Sequence, residues 1–142
     1  MSLFITDASI AAKWFIEEEY SDAALSVLQK DNQLHAPDFF FLEMDNIFWQ
    51  WIQRGLITVA DGDDLRFTLS QSPITIHPLI PLLDSAFIIA NQTRQTMYDS
   101  LYVALAILLK GQMITADHRL FDGVANSPFE KHVKWIGEIE GL

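Results

Sequence analysis

The sequence predicts an α/β fold: a doubly wound, five-stranded and mostly parallel sheet with helices on both faces. Three observations predict it. Short β-type runs such as "LFIT" and "QMITA" alternate with longer helical segments along all 142 residues, the order that places helices on both sides of parallel strands. Those runs are continuously apolar, as in strands covered on both faces. No internal repeat, low-complexity tract or long linker interrupts the pattern, so residues 1–142 read as one domain.

The elements follow in order. "LFIT", 3–6, is an apolar strand ending at Asp7. "ASIAAKWFIEEE", 8–19, reads as a helix with Ile10, Ala11 and Trp14 inward at helical spacing. "SDAALSVLQKD", 21–31, is a second helix with Ser21 as its N-cap. "QLHAP" is a brief strand stopped by Pro37, and "FFLEMDNIFWQWIQRG", 40–55, is a helix closed by Gly55. "TVADGDDLRFTLSQS" gives a helix starting near Ala60 or Asp61, and "PITIHP" a strand between two prolines. "LLDSAFIIANQTRQ" and "YDSLYVALAILLKG" are helices, "QMITA" a strand, "DHRLFDGVAN" a helix and "HVKWI" a last strand.

Composition sets limits on function. No apolar run approaches the roughly 20 residues that span a bilayer, and the N-terminus lacks the basic region and cleavage site of a signal peptide. The absence of cysteine excludes disulfides and thiolate zinc sites and fits a reducing, cytoplasmic location. Nine basic against nineteen acidic residues give a net charge of −10, which argues against broad electrostatic capture of nucleic acid. Such a chain acts on RNA only through bound cations and a few placed basic groups. Its acidity also suits a basic protein partner.

The acids fall where an open parallel sheet carries its crevice, beyond the carboxyl ends of the strands. Asp7 and Asp117 each follow a strand directly, Asp99 begins a helix, and Glu43 lies in the first turns of another. Glu43, Asn46, Ile47 and Gln50 share one helix face. Singly, each Asp is explained as a helix cap and Glu43 as a solvated helix acid. Four carboxylates at one edge are not, because gathered acids repel one another unless a cation neutralises them. Oxygen ligands of this kind suit Mg²⁺ or Mn²⁺.

These residues stand in blocks that resemble a known family. "FITDASIAAKWF" resembles the opening strand and Asp of PIN-domain ribonucleases, especially the VapC-type toxins of type II toxin–antitoxin pairs. "PDFFFLEMDNIFW" is similar to their second block, with Pro37, Glu43 and Asn46 in place. "YDSLYVALAILLKGQMITADHRLF" looks like the third and fourth, with Asp99 opening an Ala-rich helix and Thr115 and Asp117 forming a T-x-D after a strand. The resemblance implies a metal-dependent endoribonuclease in which Asp7, Glu43, Asp99 and Asp117 form the catalytic, metal-binding site. Asn46 and Thr115 would support it by hydrogen bonds, and Ser9 ranks below them. It also implies an RNA substrate, a homodimer and a cognate antitoxin lying in a groove beside the second-block helix. One or two ions would activate a water and stabilise charge on the scissile phosphate.

Substrate contacts are sparse. Arg119, adjoining the site in sequence, and Lys13 are the candidates, with Arg54 and Arg94 behind them. The four histidines, 35, 77, 118 and 132, are scattered and form no Ser–His–Asp set; His118 reads as a solvated helix residue. Around "FFFLEMDNIFWQW" large apolar groups occupy more than one helix face, which leaves open both core packing and burial against another chain. A free-standing housekeeping PIN nuclease, which shares every block, and a non-catalytic module that keeps only its partner surface stand beside this reading. A receiver domain is discounted, since it needs a second acid after "TDAS" and an acceptor Asp near "TIHP"; Ser9 excludes an Asp-x-Asp phosphatase.

Overall fold

The computed structural model describes residues 2–29 and 31–139. Five parallel strands, β1 (Leu3–Thr6), β2 (Gln33–Pro37), β3 (Ile74–His77), β4 (Gln112–Thr115) and β5 (Val133–Trp135), form one sheet in the order β3-β2-β1-β4-β5. The chain builds outward from β1 to one edge, then returns to start again on the other side of β1. That reversal puts the switch point between β1 and β4, whose following segments leave to opposite sides.

Alternation along the strands sends side chains to two cores. Phe4 and Ile114 face one side, where they pack with Ile10, Ala24, Val27 and Ile136. Ile5 and Met113 face the other, against Leu82, Ile89, Leu101 and Leu105. The first side is covered by α1 (Ala8–Ala12), α2 (Ser21–Ser26), α3 (Phe40–Gln53) and α4 (Val59–Ser70). The second is covered by α5 (Leu83–Thr93), α6 (Met97–Leu109) and α7 (His118–Val124). The α/β class and its parallel sheet are as the alternating pattern predicts. Among the described residues no helix is long and apolar enough to cross a membrane.

Several boundaries differ from the expected ones, each for a local reason. The first helix stops at Ala12 rather than running to residue 19. Beyond it, the Trp14 indole donates to the Ala24 carbonyl at 2.9 Å and Lys13 pairs with Glu18 at 3.1 Å, so tertiary bonds replace further helical turns. Ser21 is not an N-cap. It is the first residue of α2, after Tyr20 in a left-handed conformation with φ 67°. Its hydroxyl closes the turn instead, accepting from the Glu18 amide at 3.0 Å and donating to the Ile16 carbonyl at 3.1 Å. The second helix ends at Ser26, short of the expected residue 31; Lys30, within that expectation, lies outside the described residues. The fourth begins at Val59, because Thr58 and Asp61 form a reciprocal capping box. Gly55, with φ 73°, turns the chain out of α3 as the Leu56 amide bonds the Trp51 carbonyl at 2.9 Å.

The aromatic stretch divides between the two readings. Phe40, Met44 and Phe48 are buried against Ala8, Ala11 and Leu69. Leu42 and Trp49, 72% and 56% exposed, lie on the outer face of the same helix.

Candidate active site

The carboxyl ends of β1 and β4 are neighbours in the sheet, Thr6 pairing with Ile114. The residues that follow them, Asp7 and Ala116–Asp117, therefore emerge side by side. The N-terminal turns of α3 and α6 open at the same edge. A cleft of about 670 Å³ results, lined by Asp7, Ser9, Lys13, Glu43, Asn46, Asp99, Tyr102 and Asp117 among others. All four carboxylates named from the sequence reach it, with Asn46 and Lys13.

Each acid is held in its own way. Asp7 caps α1: its Oδ1 accepts from the Ile10 amide at 2.9 Å and from the Ser9 hydroxyl at 2.8 Å. Asp117 caps α7, its Oδ1 accepting from the Arg119 and Leu120 amides at 2.9 and 3.4 Å. Glu43 Oε1 accepts a short 2.5 Å bond from the Tyr102 hydroxyl. Asp99 caps nothing. Thr96 is the N-cap of α6, its hydroxyl accepting from the Asp99 amide at 3.1 Å, so the helix starts two residues before Asp99. Capping alone thus explains two of the four acids and not the others.

Electrostatics in the cleft are strained. Burial pushes the Asp7 carboxyl up to about 6 from 3.8, and the Asp99 and Glu43 charges add to it. Burial likewise raises Glu43, against the Tyr102 hydrogen bond that lowers it, with the Asp99 charge adding to the rise. Asp99 is raised by burial and by Asp117, while Thr96 and the Arg119 guanidinium pull it down. The acids feel one another, and their neighbourhood is short of positive charge. Lys13 is spent on Glu18 at 3.1 Å and on the Glu19 carbonyl at 2.9 Å.

The donor set fits a hard divalent cation. Among the described residues, Asp7, Glu43 and Asp117 each use one carboxylate oxygen in protein hydrogen bonds and keep the other without a protein partner. Anchored on one oxygen and open on the other, such acids offer oxygen ligands to an ion or to its water shell. As the side chains stand, no three Asp, Glu or His among the described residues are close enough to share one ion directly. Mg²⁺ commonly keeps several waters and takes only one or two carboxylates directly.

The supporting residues divide. Thr115 is buried beneath the cleft and its hydroxyl accepts from the Asp117 amide at 3.0 Å, so it fixes the backbone of an acid and not its carboxylate. Asn46 lines the cleft with no protein hydrogen bond among the described residues. Arg119 lies outside the lining, though its charge reaches Asp99. Arg54 and Arg94 are exposed and also lie outside the lining. Sequence reading missed Tyr102, hidden in the apolar run of α6. Its signal was the three-residue step from Asp99, which places both on one helix face.

No family model matches the chain. Ribonuclease VapC3 of Pyrobaculum aerophilum is 30% identical over 118 residues, 82% of this chain and 90% of that protein. Ribonuclease VapC9 of Mycobacterium tuberculosis is 31% identical over 118 residues, 76% of this chain and 91% of that protein. Among solved structures, PAE2754 of Pyrobaculum aerophilum superposes with a TM-score of 0.68 at 18% identity, over 96% of this chain and 90% of that one. A toxin–antitoxin complex from Klebsiella pneumoniae gives 0.65 at 17% identity, over 98% of this chain and 100% of that one. With its parallel sheet, its four carboxylates at one edge and relatives matched over nine-tenths of their length, the chain belongs to the VapC-type ribonucleases of the PIN-domain fold.

Proposed function

We propose that this protein is a metal-dependent endoribonuclease that hydrolyses RNA phosphodiester bonds, and that it is the toxin of a toxin–antitoxin pair. The observation that carries the reading is the paired state of the carboxylates: Asp7, Glu43 and Asp117 are each fixed through one oxygen and open through the other, around one cleft. The names of the relatives support ribonuclease action, and a neighbouring toxin–antitoxin complex supports an antitoxin partner.

Asp7, Glu43, Asp99 and Asp117 would hold Mg²⁺ or Mn²⁺. When bound, the cation supplies positive charge at the scissile phosphate and makes a water acidic enough to attack at neutral pH. The chain's own residues do the rest. The Ser9 hydroxyl and the Ile10 amide keep Asp7 facing the cleft, and Tyr102 keeps Glu43 there. Thr115 holds the Asp117 backbone from below. Asn46 offers an amide to a phosphate oxygen or a ribose hydroxyl from the same wall as Glu43. One of the carboxylates orients the attacking water.

A basic antitoxin segment suits a chain of net charge −10. The exposed Leu42, Trp49, Val59 and Phe67 of α3 and α4 give it an apolar surface. A homodimer would use a second such surface, Ile80 in the turn before α5 with Phe87 and Ile88 on the outer face of α5. A cytoplasmic location follows from the proposed RNA substrate.

Cleavage of a mixed set of structured RNAs with Mg²⁺ or Mn²⁺ tests the reading. Metal-dependent cutting by the wild type, abolished by EDTA and by both Asp7→Asn and Asp99→Asn, is expected. Cutting that survives both substitutions means a contaminant or a different site. No cutting, from folded protein that is free of antitoxin and binds metal, points to a non-catalytic module.

A further inference from the structure

Beside the acidic cleft two rings form a surface that the hydrolytic machinery does not use. His118 follows Asp117 directly, and its imidazole lies on the Trp135 indole with centroids 3.9 Å apart and planes 27° from parallel. Trp135 is itself fixed. Tyr20 meets it edge-on at 5.9 Å and 82°, and Phe121 lies against it at 5.9 Å. Trp135 ends β5 in register with Thr115, so the sheet sets the position of the stack relative to Asp117. His118 is exposed, and among the described residues it has no hydrogen bond and no ring contact other than Trp135. One of its ring faces is therefore covered and the other faces solvent.

The chemistry around this open face selects its ligand. Glu17, Glu18 and Asp22 line a hollow beside Tyr20, the residue that meets Trp135 edge-on, so acids stand near the stack and a phosphate is disfavoured on it. An uncharged π-face is not. Base stacking on aromatic side chains needs no net charge and is tolerant of sequence. In a chain of net charge −10 such a contact adds binding without working against that charge. Residues 117 and 118 are consecutive, their Cα atoms about 3.8 Å apart, which is within reach of the first nucleotide next to a phosphate held at Asp117.

Resting on the ribonuclease reading, we infer that His118, stacked on Trp135, is a platform for an unpaired nucleobase adjoining the scissile phosphate. The base must be unpaired, because a base within a duplex has no free face to offer. Arg119, one residue further on, sits beside the platform with its charge directed to Asp99 rather than to the ring stack.

The test is a double-mutant cycle between side chain and base. A single-stranded RNA with a mapped cut is prepared intact and with one abasic ribose at each position flanking the cut. Each is cleaved by the wild type, His118→Ala and His118→Tyr; Trp135, which packs into the core, is left alone. One flanking abasic position is expected to lower wild-type kcat/KM by about 5- to 10-fold, mostly through KM, the lower part of the range for a stacked base. His118→Ala should lose a similar factor on intact RNA and nothing more on the abasic substrate, and His118→Tyr should recover most of it. Equal abasic penalties in wild type and His118→Ala, or an Ala variant as active as wild type, overturn the platform alone. A folded wild type that cleaves none of the RNAs with either metal overturns the ribonuclease reading, and the platform with it.

Discussion

Asp7→Asn isolates the energetic cost of keeping carboxylates together. The Asp7 carboxyl sits at about 6 against an ordinary 3.8, with burial the largest cause. A raised folded value means that the folded chain holds this proton more tightly than the unfolded chain does. Stability therefore falls as pH rises from about 4 to about 6 and stays lowered above that window. Roughly 2 pKa units at about 1.4 kcal/mol each give about 3 kcal/mol. Asp7 keeps part of its surface open to solvent, so that figure is an upper value and about 1–3 kcal/mol is expected. Asn caps a helix as well as Asp does, so its side-chain oxygen retains the bonds from the Ile10 amide and the Ser9 hydroxyl. At about 2–4 °C per kcal/mol, the Asn variant should melt roughly 2–12 °C above wild type in EDTA near pH 7.5, and level with it near pH 4. Thermal unfolding by circular dichroism across that range measures the difference. Added Mg²⁺ or Mn²⁺ should raise the wild type and narrow the gap, since a ligand of the folded chain stabilises it. An Asn variant no more stable than wild type near pH 7.5, or a gap that ignores pH, refutes the reasoning.

Three further outcomes are expected. Tyr102→Phe keeps the ring packed on Phe39 at 5.2 Å but removes the donor to Glu43 Oε1. Since that bond lowers the Glu43 pKa, the acid limb of the kcat/KM profile should move to higher pH, with activity near neutrality down about 10-fold; an unmoved limb would show that Glu43 does not titrate in the reaction. Thr58→Ala breaks the capping box at α4 and should reduce stability by about 1 kcal/mol in urea titrations, while RNA cleavage per folded molecule stays as in wild type. The third concerns the His35–His77 contact, with Nδ1 and Nε2 2.8 Å apart. His35 is lowered by burial first and by the His77 charge second, so its contribution to stability is full above the unfolded value of about 6.5 and is lost as pH falls below it. His77→Gln removes the second cause, and the NMR titration of the His35 ring should shift upward; a downward or absent shift would sink that account.

How much of this was legible in the sequence depends on what each feature rests on. Strand order along the chain was legible because "LFIT" and "QMITA" are buried on both faces and carry no polar alternation. The convergence of Asp7 and Asp117 was legible because parallel strands release their next residues at one edge, whichever helices follow. Helix ends were not, where long-range bonds decide them. Trp14 has the spacing of a helical core residue, yet its indole is used on Ala24 of the next helix, and α1 ends before reaching it. Thr58 and Thr96 cap their helices ahead of the acids that the sequence made prominent. Tyr102 was invisible as a site residue because its ring is core and only its hydroxyl reaches the cleft. Lys13, expected near the substrate, lines the cleft, and the sequence did not show that it also pairs with Glu18 five residues on.

That pairing bears on how so acidic a chain would handle a polyanion. With nineteen acids against nine bases, the long-range field opposes approach of RNA, and a groove of basic side chains is not on offer to offset it. Counterion release from lysine and arginine contacts, which makes most nucleic-acid binding collapse with added salt, then has little to act on. On the proposed reading what remains would be short in range: charge from a cation held among the carboxylates, an amide from Asn46, and a base face on His118. Contacts of this kind grip a nucleotide or two and not a long tract. The expected consequence is a shallow dependence of KM on monovalent salt beside a steep dependence on the divalent ion. A steep monovalent dependence, of the order found when six or more phosphates are neutralised, would place the grip on a basic surface contributed by a partner.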